Sequence, residues 1–270
     1  MSSASNETET TVADWWSTAI TEILPGVIRY RGYPVEELIG HVGFVDMISL
    51  LVLGDFPTEP RRRLLEAALV ASVDHGPQAP SIASARMAAT TGVGLNSAIA
   101  NGVNVLGDVH GGAGEQAMEL FLAIDRGAPM DTALAGVGRF IPGFGHRFHP
   151  VDPRVEPLLV MVEAAREAGV VSGRFVSIAR SIEDTIARPG RRIPMNIDGV
   201  TAVVFCELDV PPPLGRGLFV LSRAVGILAH AWEETVAPSR LKGPMPPSIV
   251  PTYTGPTLRH LDEASGDSRG

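Results

Sequence analysis

Apolar residues recur every three to four positions along most of the chain, a spacing typical of amphipathic helices. In the segment that begins at Pro60, for example, Leu64, Leu65 and Ala68 fall on one helical face. No strand pattern recurs, and only residues 26–31 favour a short hairpin arm. The fold class predicted is therefore mainly α. The predicted helices span residues 34–39, 44–53, 60–72, 80–100, 115–124, 156–168, 173–187, 198–208 and 213–235.

Composition narrows the class of protein. The 270 residues, 45% of them hydrophobic, suffice for one large domain or for a large domain with a smaller one. A formal charge of −8 gives no basic surface for nucleic acid. Cys206 is the only cysteine, so we expect a small core residue, no internal disulfide and a reducing, cytoplasmic compartment.

The chain ends and the most apolar stretch carry further expectations. Residues 1–13 and 262–270 are polar and are predicted to be disordered. Residues 1–13 do not have the positively charged region followed by an apolar run that marks a secretory signal peptide. The stretch 214–232 is interrupted by Arg216, Arg223 and His230, which predicts a buried core helix rather than a membrane span.

Three segments place a titratable side chain among glycines or at a turn, and their side chains are His110, His146 and Asp198. Two imidazoles and a carboxylate can remove a proton beside a carbonyl, stabilise the resulting enolate oxygen and polarise a second carbonyl. The sequence therefore points to chemistry in which one carbonyl compound is enolised and joined to another.

His110 is followed by Gly111, Gly112 and a predicted helix. Glycines allow the backbone to come close to a ligand, and the positive end of that helix disfavours an imidazolium. A neutral ring can donate a hydrogen bond to an enolate oxygen. The alternative is a capping or core histidine.

His146 ends the run Gly143-Phe144-Gly145, whose backbone amides we expect to face a ligand as in an anion-binding nest. Its ring can polarise an acceptor carbonyl. His149 lies three residues further on, so a metal-binding pair is the alternative. No Cys or acidic cluster accompanies the two rings, and we expect no metal.

Asp198 stands at the start of a predicted apolar helix, where the simplest interpretation is an N-cap. In company with the two histidines it is interpreted as a general base with a pKa raised by burial. Arg154 and Arg223 are either partners in salt bridges or ligands of carboxylates. His75, between a helix and a turn, is either a helix-end cap or a ligand.

The order and spacing of these segments resemble the citrate synthase superfamily, and within it the short bacterial citryl-CoA lyases. The similarity runs from the YRGYPVEEL segment at residues 30–38 to Tyr253-Thr254-Gly255. It implies a mainly α-helical homodimer, or a higher even oligomer, in which a small domain closes over a cleft. The large domain would comprise residues 14–111 and 205–261, and the small domain residues 112–204.

The resemblance also implies roles. Asp198 would take a proton from the methyl group of acetyl-CoA, His110 would hold the enol oxygen, and His146 would polarise the ketone of oxaloacetate. The substrate carboxylates would be bound by His75, Arg154 and Arg223. Coenzyme A would contact Pro142, Gly143, Phe144, Gly145 and Arg147. The expected partners are thus a CoA thioester and a keto acid as substrates, with no resident cofactor, no nucleic acid and no membrane.

One position departs from the family pattern. Citrate synthases usually carry an Arg-Pro pair before the Tyr-Thr-Gly motif, and its arginine reaches across the dimer to a substrate carboxylate. The aligned pair here is Gly243-Pro244. Either Arg240 or Lys242 compensates, or this contact is missing.

That departure, and a chain shorter than typical citrate synthases, favours a lyase, because a synthase must also close around a water that hydrolyses citryl-CoA. The predicted reaction cleaves citryl-CoA, or a related 3-hydroxyacyl-CoA, to acetyl-CoA and oxaloacetate, with His146 taking the hydroxyl proton. The alternatives are a citrate or 2-methylcitrate synthase and a non-catalytic accessory subunit of a citrate-activating complex.

Overall fold

The computed structural model describes residues 12, 14–138, 140–188, 190, 192–237, 240–243, 246 and 248–258. Helices dominate this part of the chain, which confirms the predicted fold class. The helices are α1 Val35–Leu38, α2 Phe44–Leu53, α3 Glu59–Ser72, α4 Pro80–Ala89, α5 Leu95–Asn104, α6 Ala113–Asp125, α7 Met130–Val137, α8 Val155–Glu167, α9 Arg174–Ile186, α10 Ile197–Glu207 and α11 Pro212–Val236. Apart from residue 12, the ends predicted to be disordered, 1–13 and 262–270, lie outside the described residues.

The predicted hairpin arm is part of a three-stranded antiparallel sheet in the order β1-β2-β3. The strands are β1 Thr21–Leu24, β2 Val27–Tyr30 and β3 Tyr33–Pro34. Thr21 lies opposite Tyr30, and Tyr30 lies opposite Tyr33. Two residues with positive φ, Arg31 at 50° and Gly32 at 91°, make the tight turn between β2 and β3.

Two predictions of helices were wrong. The segment 80–100 forms two helices, because the chain turns after Thr90 and passes through Gly92 at φ 86° before α5 begins. Helix α7 was missed, although Met130, Ala133, Leu134 and Val137 recur at helical spacing. The first three of these side chains pack against the core but are only partly buried.

The buried apolar side chains form two clusters. The larger joins α3, α6, α8, α9 and α10, with Phe121 and Phe175 at its centre. The smaller joins α4, α5 and α11 around Ile82 and Ile227. The division into a large and a small domain stays a prediction. Cys206 is buried, as expected, and burial raises the pKa of its thiol to about 12.

Helix α11 is long and apolar enough to cross a membrane by length and composition alone. It nevertheless packs against α3, α4, α5 and α6, and it buries the charged side chains of Arg223 and Glu234. A helix that buries charges against its own chain is typical of a protein core. The buried core helix predicted for residues 214–232 is therefore confirmed on one side only, because Leu221, Val225, Leu228 and Trp232 of the same helix are exposed.

Candidate active site

The ring of His110 is held by the first turn of α4. Its Nε2 atom lies 3.1 Å from the backbone nitrogen of Ser81 and 3.0 Å from the hydroxyl oxygen of the same residue. A backbone N–H only donates, so Nε2 is the acceptor and the neutral ring carries its proton on Nδ1. Burial lowers the pKa of His110, and the nearby cation Arg223 lowers it further. His110 is therefore neutral and keeps an N–H donor at Nδ1.

The sequence prediction about the helix beside His110 needs a correction. We expected α6, which follows His110, to keep the ring neutral, but the amide that meets the ring belongs to α4. The loop before α6 folds on itself, with Gly107 N donating to His110 O at 2.8 Å. Gly111 has φ 99°, a backbone conformation that side chains rarely adopt, and an added Cβ would crowd the ring of Phe219 at 3.0 Å.

His146 has the opposite tautomer. Its Nδ1 atom accepts hydrogen bonds from the backbone amides of Phe148 and His149, each at 3.1 Å. A neutral ring that accepts at Nδ1 carries its proton on Nε2. Burial lowers the pKa of His146, and repulsion by His149 adds to the effect. The ring of His149 is 4.6 Å away between centroids. Among the described residues no group of three or more His, Cys, Asp or Glu side chains is arranged to hold a metal ion.

The loop before His146 is bound to the segment before α10. Gly145 N donates to Pro194 O at 2.8 Å, and Asn196 N donates to Gly143 O at 2.9 Å. The predicted anion-binding nest is therefore wrong, because the amides of Phe144 and Gly145 already donate to protein carbonyls. The glycines serve close packing instead, since a Cβ on Gly143 would lie 2.8 Å from the Cα of Gly199. A role of residues 142–145 and Arg147 in binding coenzyme A stays a prediction.

Asp198 does not cap its helix. The N-cap of α10 is Asn196, whose Oδ1 accepts from the amides of Asp198 and Gly199 at 3.0 and 3.2 Å. Asn196 also donates through Nδ2 to Gly145 O at 2.6 Å, which ties α10 to the His146 loop. The carboxyl of Asp198 is half-buried and carries no hydrogen bond within the described part of the chain. Burial raises the pKa of Asp198, and the cations Arg223 and Arg154 oppose that rise.

Arg223 lies on the buried side of α11. It is 4% exposed, its Nε donates to Ser72 O at 3.1 Å, and its guanidinium stacks on Phe219 at 5.0 Å. No carboxylate lies within ion-pair distance of it among the described residues, which disfavours the salt-bridge interpretation. A guanidinium kept charged without a protein counter-ion suits an anionic ligand.

Arg154 does form the salt bridge considered as its alternative. Its Nε and Nη2 donate to the two carboxylate oxygens of Asp152 at 2.9 and 2.8 Å. The other terminal nitrogen, Nη1, has no hydrogen bond in the described part of the chain. Arg154 can thus be held by Asp152 and still bind a second anion.

His75 follows α3 but does not cap it, since the C-cap residue is Val73. Its ring lies 5.7 Å from that of His146, in an edge-on arrangement. Burial lowers the pKa of His75, and the cations Arg223 and Arg154 lower it further. Gly226 of α11 lets this turn approach, because a Cβ there would lie 2.9 Å from the carboxylate of Asp74.

These perturbations show that the structure brings the candidate residues together. Arg223 acts on the pKa of His75, His110 and Asp198, and Arg154 acts on that of His75, His146 and Asp198. Only groups at short range perturb one another in this way. Side chains spread over about 150 positions of the sequence thus share one site.

The two candidates for the missing arginine differ. Lys242 is fastened to its own subunit, with Nζ 3.3 Å from the buried carboxylate of Glu234 and its amide donating to Thr90 Oγ1 at 3.0 Å. Arg86 pairs with Glu234 as well. Arg240 is exposed, and Pro244 lies outside the described residues. Of the two cations, the pairing with Glu234 makes Lys242 the less available.

Sequence reasoning missed four residues that hold this site. Asn196 gave a usable signal, because asparagine is a favoured N-cap. Ser81 gave none, since its partner His110 lies 29 residues away in the sequence. Asp152 stands only two residues from Arg154, but its bond to the amide of Ile197 spans 45 residues. Phe219 stacks with Arg223 of its own helix and also lies against Gly111, which is 108 residues earlier.

A helical fold that gathers two neutral imidazoles, a half-buried carboxyl and two arginines has the groups needed for acid–base chemistry on an anionic carbonyl compound. The chain belongs to the citrate synthase family, since the family model "Citrate synthase, C-terminal domain" matches residues 57–244. The family expected from the sequence is thus confirmed.

Solved structures and curated relatives agree with this assignment. The structure of citryl-CoA lyase from Hydrogenobacter thermophilus matches with a TM-score of 0.80 at 30% identity, over 93% of this chain and 99% of that one. A citrate synthase of Haloferax volcanii is 32% identical over 209 residues, which is 74% of this chain and 53% of the relative. ATP-citrate synthase beta chain protein 2 of Arabidopsis thaliana is 26% identical over 235 residues, 80% of this chain and 38% of the relative. The chain thus spans about half or less of these two curated relatives.

Proposed function

We propose that this chain is a lyase that cleaves citryl-CoA, or a related 3-hydroxyacyl-CoA, to acetyl-CoA and oxaloacetate. The choice of direction is supported by the similarity to a citryl-CoA lyase over nearly the full length of both chains. It is also supported by Gly243, which stands where the family pattern has an arginine, and by the pairing of Lys242 with Glu234. The structural match and the missing arginine thus both favour cleavage over synthesis.

The acid end of the substrate would lie between Arg154, Arg223 and the rings of His75 and His146. Guanidinium groups bind its carboxylates, and His146 donates from Nε2 to the tertiary hydroxyl oxygen. His146 cannot also take the hydroxyl proton without giving up the two amide hydrogen bonds at Nδ1. His75 can take it without such a loss, and its lowered pKa keeps it neutral beforehand. We therefore assign this proton to His75 rather than to His146, which we had expected from the sequence.

The thioester end would lie against His110 and Asp198. When the hydroxyl proton leaves, the oxygen becomes the ketone of oxaloacetate, and the electrons of the C–C bond pass to the thioester as its enolate. His110 donates from Nδ1 to the enolate oxygen, since Ser81 occupies Nε2. Asp198, with a raised pKa that favours the protonated form, then gives its proton to the terminal carbon. The product is acetyl-CoA.

The observation that carries the proposal is the amide of Ser81 on Nε2 of His110, because it fixes a neutral ring with its hydrogen-bond donor at Nδ1. The test is to offer the purified chain citryl-CoA and to follow oxaloacetate by its coupled reduction with NADH. We expect oxaloacetate and acetyl-CoA in equal amounts. Asp198→Asn, folded as well as wild type, serves as the inactive control. Folded wild type that forms no oxaloacetate from citryl-CoA would contradict the proposal.

A citrate or 2-methylcitrate synthase is the second candidate, favoured by the 32% identity to the Haloferax enzyme. The same groups can run the addition forwards. The distinguishing measurement is release of free CoA from acetyl-CoA or propionyl-CoA with oxaloacetate. Thiol release faster than citryl-CoA cleavage would select the synthase.

An accessory subunit is the third candidate, and the similarity to an ATP-citrate synthase beta chain favours it. Such a chain would bind a citrate-activating partner without turnover of its own. Calorimetry with citryl-CoA, set beside co-purification with that partner, separates the two cases. A stable partner with no binding of the CoA ester would favour the accessory role.

We also propose that the working form is a homodimer in the cytoplasm. Helix α11 exposes an apolar row at helical spacing, formed by Leu221, Val225, Leu228, Trp232 and Val236. A second copy would cover this row against its own α11. Light scattering of wild type and Val225→Glu tests it, and an unchanged dimer in that variant would exclude this face. The lone buried Cys206 suits a reducing compartment.

A further inference from the structure

One buried carboxylate connects two parts of the site that are far apart in the sequence. Asp152 is 2% exposed. Its Oδ1 accepts from the backbone nitrogen and Nε of Arg154, at 3.1 and 2.9 Å. Its Oδ2 accepts from Nη2 of Arg154 at 2.8 Å and from the amide of Ile197 at 3.0 Å. Ile197 is the first residue of α10 and directly precedes Asp198.

We propose that Asp152 is a positioning residue that ties Arg154 to the N-terminus of α10, so that the acid-binding arginine and Asp198 are placed as one unit. The inference rests on the proposed function for the roles of Arg154 and Asp198. Asp152 itself has no oxygen left to bind a ligand, since each oxygen already accepts two hydrogen bonds. Its effect on the reaction is therefore exerted through its neighbours.

The arrangement has two consequences. The bidentate pair holds the Arg154 side chain in one conformation and leaves its Nη1 available for a substrate carboxylate. Because the side chain is already ordered, binding costs little further conformational entropy. It also places a fixed negative charge near Asp198. The charged groups that face Asp198 are Arg223 on α11 and Arg154 and Asp152 on the turn before α8. Asp152 offsets the two cations and so contributes to the raised pKa of Asp198.

The first test is Asp152→Asn in the full chain, which keeps the shape and removes the charge. We expect the pKa of Asp198 to fall, because both cations then act on it unopposed. Protein labelled with ¹³C at the aspartate carboxyls reports this titration directly, and Asp198→Asn identifies the resonance. We also expect KM for oxaloacetate, or for citryl-CoA, to rise on the order of tenfold.

Glu207 provides a matched control. It is 4% exposed and also accepts four hydrogen bonds, from the amides of Ser172, Gly173 and Phe175 and from the hydroxyl of Ser172. It lies at the other end of α10, roughly 14 Å from Asp198 along the helix. Glu207→Gln should destabilise the protein as Asp152→Asn does, while the titration of Asp198 and KM stay as in wild type.

Asp152→Glu separates charge from position and serves if Asp152→Asn does not fold. It retains the charge but displaces Arg154, so we expect a raised KM with the pKa of Asp198 near its wild-type value. An unchanged KM and titration in the variants of Asp152, or an equal shift in Glu207→Gln, would overturn the inference. Wild type that turns over neither citryl-CoA nor acetyl-CoA with oxaloacetate would instead refute the proposed function, and the carboxyl titration would still decide the role of Asp152.

Discussion

The backbone amide of Ser81 donates to Nε2 of His110 across 3.1 Å, and this single contact determines what His110 can do. It directs the proton of the neutral ring to Nδ1. Ser81 occupies the first turn of α4, so its amide is one of those that a helix leaves without an internal partner. The positive end of α4 meanwhile opposes protonation of the ring. Helix geometry thus supplies a neutral donor without any charged partner.

Ser81→Ala tests how much the hydroxyl adds to that contact. The amide remains, so we expect kcat to fall by only about two- to tenfold, the worth of one ordinary hydrogen bond. Ser49→Ala is the control, because Ser49 is buried too but its hydroxyl donates to Asp55 O at 2.9 Å. Steady-state kinetics of both variants are compared. An equal fall of kcat in Ser49→Ala would show that the effect of Ser81→Ala comes from packing and not from the hydrogen bond to His110.

Asp198→Asn should fold and bind the CoA ester, while turnover falls by roughly 10²–10⁴-fold, since the acid that protonates carbon is lost. Its stability should change with pH as well. The folded-state pKa of Asp198 is raised, so wild type loses stability relative to the variant as pH rises through that pKa. Thermal unfolding between pH 4 and 8 measures the difference. Retained turnover would remove Asp198 from the mechanism.

Asp152→Asn should show the opposite dependence on pH. The hydrogen bonds from Arg154 outweigh the cost of burial and lower the pKa of Asp152 to about 2. The carboxylate therefore stabilises the fold at pH values above its ordinary pKa by about 2 kcal/mol, and this is lost as pH falls from about 4 towards 2. Denaturant unfolding at pH 7 and pH 3 measures it. An equal penalty at both values would contradict the shift.

His75→Gln should lower kcat by roughly 10²-fold, because glutamine can bind a carboxylate but cannot accept the hydroxyl proton. A residue that only binds the acid would raise KM and leave kcat near wild type. His149→Gln is the control, since that ring also lies beside His146 but is exposed. We expect its kcat to stay within about twofold of wild type.

Gly199→Ala should destabilise the protein by about 1–3 kcal/mol and reduce activity, because its Cβ would collide with the carbonyl of Gly143. Gly217 is also helical, yet a Cβ there would meet nothing within 4 Å. Gly217→Ala should therefore be neutral or stabilise by about 0.5–1 kcal/mol. Equal melting temperatures for the two variants would show that the loop at Gly143 can move away from the first turn of α10 to make room for the methyl group.

The sequence by itself determined the mainly α-helical class, most helix bounds and the family. Helix α2 runs over Phe44–Leu53 as predicted, because apolar periodicity and a terminal Gly54 are local signals. It also singled out six titratable residues that the structure brings into one site, although their roles stay predictions. These six residues can be found from the sequence alone, because each stands in a short segment that is recognisable by itself.

Only the tertiary structure decided how those residues are held. The tautomer of His110 depends on an amide 29 positions earlier, and the placement of Asp198 depends on a carboxylate 46 positions earlier. The anion-binding nest expected at Gly143–Gly145 is absent, because the amide of Gly145 donates to the carbonyl of Pro194. Asn196 in turn donates to the carbonyls of Gly143 and Gly145. Hydrogen bonds between distant segments leave no local periodicity, so they arise only when packing brings the partners together.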